Sequence, residues 1–232
     1  MIDEEKRPKV EAEKPQIEAV IFDLDGVLID SEPVWNRAFD KFIEEKGVSL
    51  SPDVSSSLAG VGIREIVETI KEHSKLKGET LELMEEFRGI FYQILFESGN
   101  YLNEGVKELL LNLKGKYRLA LATGGHTREM ALKLLSKSGI DEFFEVVISS
   151  DDVKRGKPHD VYVESARKLG IDPTNCAVIE DSVNGVLAAK AAGMRIIGFN
   201  DHYRFDINKL YRAGANRAYT RLSDIRIEDL YE

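Results

Sequence analysis

Cysteine is almost absent: Cys176 stands alone among 232 residues. No disulfide can form within the chain, and a reducing compartment, the cytoplasm, is the expected setting. A basic surplus is also missing. Lys and Arg number 32 against 41 Asp and Glu, a formal net charge of -9. A non-specific grip on nucleic acid or on an anionic membrane surface is therefore not expected. Long apolar runs are lacking too. No stretch reaches the roughly 20 residues of a membrane span, and the chain shows no apolar core of a signal peptide, so a soluble protein is expected. What is present suffices for a globular fold: 43% of the residues are hydrophobic, enough for one full core or one core plus a smaller satellite.

Residues 1–16, MIDEEKRPKVEAEKPQ, are charged, carry two prolines and show no sustained apolar face. They read as a mobile extension. Beyond them, short apolar runs recur: IEAVIFDL, YRLALAT, EVVISS, CAVIED and MRIIGF. Each is nearly continuous and rich in β-branched residues, the pattern of parallel strands covered on both faces. Helical stretches such as TREMALKLLSKSG, VYVESARKLG and GVLAAKAAG alternate with them, several stopping at glycine. This alternation predicts an α/β doubly wound parallel sheet.

Between Pro33 and Leu102 the alternation stops. WNRAFDKFIEEKG, IREIVETIKEHSKL and ETLELMEEFRGIFYQILFESG are amphipathic and are separated by glycines and polar turns. They predict a small helical bundle inserted after the first strand. The expected division is an extension over 1–16, an α/β core over 17–32 and 103–232, and a helical insertion over 33–102.

Chemistry gathers at the strand ends. The first apolar run finishes in Asp23-Leu24-Asp25-Gly26, the second in Thr123-Gly124-Gly125, and CAVIED in Glu180-Asp181-Ser182. Lys157 follows EVVISS in RGKPHD. In open α/β sheets the ligand crevice lies outside the carboxyl ends of the strands. Four carboxylates delivered there repel one another unless a multivalent cation is present, and hard oxygen donors suit Mg²⁺. Mg²⁺ commonly also takes a phosphate oxygen. Thr123 and the Gly124 amide could donate hydrogen bonds to such a phosphate, and Lys157 could offset its charge. One carboxylate could attack phosphorus while a second transfers protons. Asp23 and Asp25, two apart on a strand, share a face and could serve one centre.

Plainer readings exist for each residue alone. Asp25-Gly26 could be a turn former, Thr123 a cap for the next helix, Glu180-Asp181 a helix N-cap, and Lys157 a solvated surface lysine. Trp35, the only tryptophan, could be buried in the bundle or face substrate. Gly125, His126 and Arg64 are further candidate substrate contacts, whereas His73, His159 and His202 read as incidental. Cys176 reads as a small buried hydrophobe.

The order of motifs, DLDG, a strand-terminal Thr, a Lys in GKP and the acidic pair in EDS, resembles the haloacid dehalogenase superfamily of phosphotransferases. The resemblance spans about residues 17–200, and the helical insertion stands where that family places its C1 cap. DSEPVW and GIDPTNCAVIEDSVNGVLAAKAAGM look like its sugar-phosphate phosphatases, of the 2-deoxyglucose-6-phosphate and hexitol phosphatase type, and are similar to β-phosphoglucomutase. The resemblance implies a Rossmann-like core and a Mg²⁺-dependent phosphomonoester hydrolase acting on a small phosphorylated metabolite, a sugar or polyol phosphate. It implies Asp23 as nucleophile and Mg²⁺ ligand, and Asp25 as general acid/base with a main-chain carbonyl on the metal. Thr123 and Gly124 would hold the phosphoryl group, and Lys157 would steady both the nucleophile and that group. Glu180 and Asp181 would complete the metal site, with Asn184 supporting. A monomer is expected, with a dimer as the alternative.

Two departures accompany the resemblance. Lys157-Pro158-His159-Asp160 is one residue shorter than the family's Lys-Pro-x-Pro-Asp, and Trp35 stands where the mutase has a histidine. The mutase's cap loop is only approximated by Gly60 to Glu65. A phosphosugar mutase is the nearest rival reading. A 2-haloacid dehalogenase lacks the second acid of DLDG, and a non-catalytic binder of phosphorylated metabolites has no need of Asp25.

Overall fold

The structure, a computed structural model, describes residues 16–58, 61–99, 101–153, 160–201 and 206–231. Apart from Gln16, the expected N-terminal extension lies outside the described residues, as do Gly60, Lys157, His159 and His202.

Six parallel strands make one sheet: β1 (Ala19–Phe22), β2 (Arg118–Ala122), β3 (Val146–Ile148), β4 (Cys176–Glu180), β5 (Arg195–Phe199) and β6 (Arg217–Tyr219), in the order β3-β2-β1-β4-β5-β6. The five apolar runs each supply a strand. Every residue of AVIF in β1 and of CAVIE in β4 is buried, as central strands covered on both faces require. The sixth strand has no apolar run behind it. It is three half-buried residues, Arg-Ala-Tyr, at the sheet edge, where solvent relieves the need for apolar side chains.

The described residues fall into two compact units. One takes in the residues up to Val27 and from Glu104 onward, and the other is Leu28–Asn103. The second unit holds α1 (Glu32–Glu45), α2 (Pro52–Ser57), α3 (Ile63–His73) and α4 (Thr80–Ser98). The sheet unit holds α5 (Val106–Leu113), α6 (Arg128–Ser138), α7 (Asp160–Leu169), α8 (Val183–Ala191) and α9 (Asn208–Ala213). Among the described residues no helix is long and apolar enough to cross a membrane.

In the sheet unit, alternate strand residues meet one helical layer. Ala19, Ile21, Ala120, Ala122, Cys176 and Val178 cluster with Val161, Tyr162 and Ala166 of α7, Val186, Ala188 and Ala189 of α8, and Leu210 of α9. Alanines on both sides let the helices approach the sheet closely. Cys176 belongs to this core, and burial pushes its thiol up to about 12. It is the inert hydrophobe expected of it.

The helical unit is closed at its base by main-chain pairing: Asp30 N–H to Tyr101 C=O at 2.9 Å and Asn103 N–H to Leu28 C=O at 3.0 Å. Its core is aromatic. Trp35 is half-buried and stacks on Phe91 at 4.1 Å, while Phe87 lies 5.8 Å from Trp35 and 5.3 Å from Phe42. Phe87 of α4 thus meets two rings of α1. Phe87→Ala should destabilise this unit by about 3–5 kcal/mol. Trp35 emission during chemical unfolding reads the change, and a loss below about 1 kcal/mol would show that the aromatic stack does not hold the unit together.

Candidate active site

The strand order reverses between β1 and β4, since β2 and β3 extend to one side and β5 and β6 to the other. A switch point of this kind is where doubly wound sheets bind ligands. Asp23 follows β1 directly, its N–H bonded to the Ile179 carbonyl at 3.0 Å. The register pairs Phe22 with Ile179, so Asp23 falls opposite Glu180, the last residue of β4. Asp23 and Glu180 are buried and Asp181 is half-buried. One oxygen from each of these three carboxylates lies within 4.8 Å of the other two. At an effective dielectric near 20, each ionised pair at that spacing repels by on the order of 3 kcal/mol. Three such carboxylates are a hard-oxygen donor set that could hold a divalent cation.

Glu180 is the most constrained of the three. Its Oε1 accepts from the Ser182 N–H at 2.9 Å and the Ser182 hydroxyl at 2.8 Å. Its Oε2 accepts from the hydroxyl of buried Tyr162. Burial, and then the charges of Glu180 and Asp23, push the Tyr162 hydroxyl well above its ordinary range, so it stays a donor. Ser182 also caps α8, its Oγ accepting from Gly185 N–H at 3.0 Å. A Cβ on Gly185 would fall 1.9 Å from Glu180 Oε2. Glycine is needed there for room, because the carboxylate lies against the first turn of α8.

The turn after β2 is built differently. Thr123 is buried, with its N–H on the Ile148 carbonyl at 2.9 Å and its Oγ1 accepting from Gly125 N–H at 3.4 Å. The cap of α6 is Thr127, whose hydroxyl accepts from Met130 N–H at 3.3 Å, so Thr123 is not a capping residue. Nor do Glu180 and Asp181 cap α8, since Ser182 does. Gly124 is half-buried and Gly125 exposed. Gly26 has φ 76° and is a genuine turn glycine behind Asp25.

Four gathered carboxylates were the expectation, and the structure gathers three of them. The Asp25 carboxylate is directed to His126, whose Nε2 stands 2.8 Å from its Oδ2. Asn184 is exposed on α8. Trp35 and Arg64 belong to the helical unit, where Arg64 is exposed and 3.4 Å from Glu68. Lys157 lies outside the described residues. Tyr162, Ser182 and Gly185 were not singled out from sequence. The signal for two of them was present in EDSVNG, a serine two residues after Glu180 and a glycine in the first helical turn.

Tyr162→Phe would leave a buried carboxylate oxygen short of a donor and should cost about 1.5–3 kcal/mol in chemical denaturation. Gly185→Ala should cost more, because its methyl group must displace the Glu180 carboxylate. Stability equal to the parent in both variants would show that Glu180 is not held in this way.

Residues 17–193 match the haloacid dehalogenase-like hydrolases. A phosphorylated carbohydrates phosphatase of Thermotoga maritima is 36% identical over 205 residues, 86% of this chain and 92% of the relative. Hexitol phosphatase B of Escherichia coli is 36% identical over 189 residues, 78% of this chain and 83% of the relative. The crystal structure of a β-phosphoglucomutase from Clostridium difficile superposes with a TM-score of 0.73 at 26% identity, covering 92% of this chain and 95% of the other. By its acidic strand ends, its sheet order and these likenesses, the chain belongs to the haloacid dehalogenase-like hydrolases.

Proposed function

We propose that this chain is a phosphomonoester hydrolase that cleaves a small sugar or polyol phosphate through an aspartyl-phosphate on Asp23. The observation that carries the proposal is the separation of two neighbouring acids. Asp23 is buried within 4.8 Å of Glu180 and Asp181. Asp25, two residues on, turns to His126 at 2.8 Å. On this reading Asp23 is assigned to attack and Asp25 to proton transfer. The substrate class rests on the names of the relatives, which act on phosphorylated carbohydrates and hexitols.

In the first step a carboxylate oxygen of Asp23 attacks phosphorus. The bond to the leaving oxygen breaks as Asp25, in its acid form, gives that oxygen a proton, releasing the free alcohol. In the second step water attacks phosphorus, its proton passing to the Asp25 carboxylate. The Asp23–phosphate bond breaks, and orthophosphate and both starting side chains are restored. The Thr123 hydroxyl and the Gly124 amide are assigned to the phosphoryl oxygens, and Lys157 to the same group by motif order alone.

The hard-oxygen cluster of Asp23, Glu180 and Asp181 fits Mg²⁺. The main-chain carbonyl of Asp25 is assigned beside them. When bound, the ion would lower the repulsion between the substrate's phosphate and the acids around it. Within this group Tyr162 and Ser182 keep Glu180 from turning away.

Likeness to a protein named β-phosphoglucomutase favours a second reading, in which a sugar hydroxyl replaces water in the second step. Release of inorganic phosphate from a panel of sugar and polyol phosphates, set against isomerised sugar phosphate, separates the two.

Two outcomes are expected. Chelation should abolish phosphate release and added Mg²⁺ restore it. Mg²⁺ should also raise the melting temperature by mass action, an effect that Asp181→Asn weakens. Full activity in excess chelator would remove the metal from the scheme. Asp25→Asn, given acetyl phosphate, should accumulate a phosphoenzyme on Asp23, seen by intact mass after acid quench, because its leaving group needs little protonation. Phosphate found on another residue, or parent-like turnover by Asp23→Asn, would contradict the assignment.

A further inference from the structure

The loop after β2 holds an arrangement that the attack by Asp23 does not require. His126 is buried, its side chain 1% exposed, and its Nε2 lies 2.8 Å from Asp25 Oδ2, at ion-pair distance though off the line of an ideal N–H···O bond. One residue earlier, a Cβ built on Gly125 would stand 3.0 Å from the same oxygen. The backbone at Gly125 is not in the left-handed region, so conformation does not account for glycine there. A side chain there would press on Oδ2, which would have to give by a few tenths of an ångström.

We propose that Gly125 and His126 form a seat for the carboxylate of Asp25, and that His126 is a positioning residue for proton transfer and not a contact to substrate. The proposal rests on the reading of Asp25 as the acid/base. The Asp25 side chain is 28% exposed although its Oδ1 is buried, and a carboxylate at a turn has more than one staggered rotamer. Transfer of a proton to a leaving oxygen needs one of them. An imidazole that is itself buried offers a fixed point, and glycine leaves the gap that the carboxylate enters. Such preorganisation removes a cost from the step that depends on orientation.

The test compares kcat/KM for 4-nitrophenyl phosphate, whose leaving group needs little protonation, with kcat/KM for a sugar or polyol phosphate, whose alkoxide does. His126→Ala should raise the aryl-to-alkyl ratio by about 10-fold or more over the parent, a part of the full worth of acid–base catalysis. Gly125→Ala should raise the same ratio, because its methyl group displaces Oδ2. His126→Gln places an amide nitrogen near the position of Nε2 and should return the ratio toward the parent. Equal losses on both substrates for His126→Ala, or no rescue by His126→Gln, would overturn the proposal. Asp25→Asn is measured in parallel. If it leaves the ratio unchanged, Asp25 is not the acid and the seat falls with it. If it raises the ratio while the His126 and Gly125 variants do not, the reading of Asp25 stands and the seat alone is wrong. Should His126→Ala fail to fold, Gly125→Ala and His126→Gln still decide the outcome.

Discussion

Mutual repulsion among Asp23, Glu180 and Asp181, whose oxygens approach within 4.8 Å at the end of β1 and β4, is the constraint that the surrounding structure answers. Two of the three are buried, so solvent offers little screening. Left to themselves, such groups would splay apart or take up protons. The parallel register prevents the first, because Asp23 and Glu180 leave adjacent central strands at the same level. Hydrogen bonds and the amino end of α8 oppose the second. Ser182 presents both its N–H and its hydroxyl to Glu180, and the helix begins immediately behind them. The unsatisfied N–H groups of a helix start favour negative charge.

This arrangement spends stability on charge. A buried carboxylate is costly even when satisfied, and Glu180 is held by Tyr162 from one side and Ser182 from the other. Tyr162 lies in the same cluster as the alanines that let α7 and α8 approach the sheet. Apolar packing and the acidic site therefore share a layer. The small side chains beneath the sheet leave space for one large polar one, placed where its hydroxyl reaches the carboxylate. A core of uniformly large residues would have no such opening.

Much of this was legible in the chain, for reasons that differ by residue. Strands β1 to β5 are announced by apolar runs: β1, β2, β4 and β5 lie inside the sheet, and β3, at one edge, still buries Val147 and Ile148. β6 is not, because its Arg-Ala-Tyr at the other edge is only half-buried. Asp23, Glu180 and Asp181 were legible because each sits at the end of an apolar run, and position along a strand is a sequence property. The split between Asp25 and the other acids was not. It rests on the 2.8 Å approach of Asp25 to a histidine more than 90 positions away in the chain. Tyr162 was hidden for a related reason. In VYVESARKLG it reads as one apolar position of an amphipathic helix, and only the fold brings its hydroxyl to Glu180.

Glycine carries three meanings in this site, and composition separates none of them. Gly26 supplies a left-handed turn. Gly185 supplies the space that Glu180 occupies, and Gly125 the space beside Asp25, neither with positive φ. A glycine-rich turn after a strand is commonly read as a place where backbone amides approach a phosphate. The Thr123-Gly124-Gly125 turn is open to that reading at Gly124 and to a second one at Gly125. The two are compatible, because a phosphate would draw on main-chain N–H groups whereas Asp25 draws only on the missing side chain. One short loop can therefore serve the phosphoryl group with its backbone and the acid with its empty position. On the proposed reading, the loop would serve both the phosphoryl group and the acid/base that acts in each of the two steps.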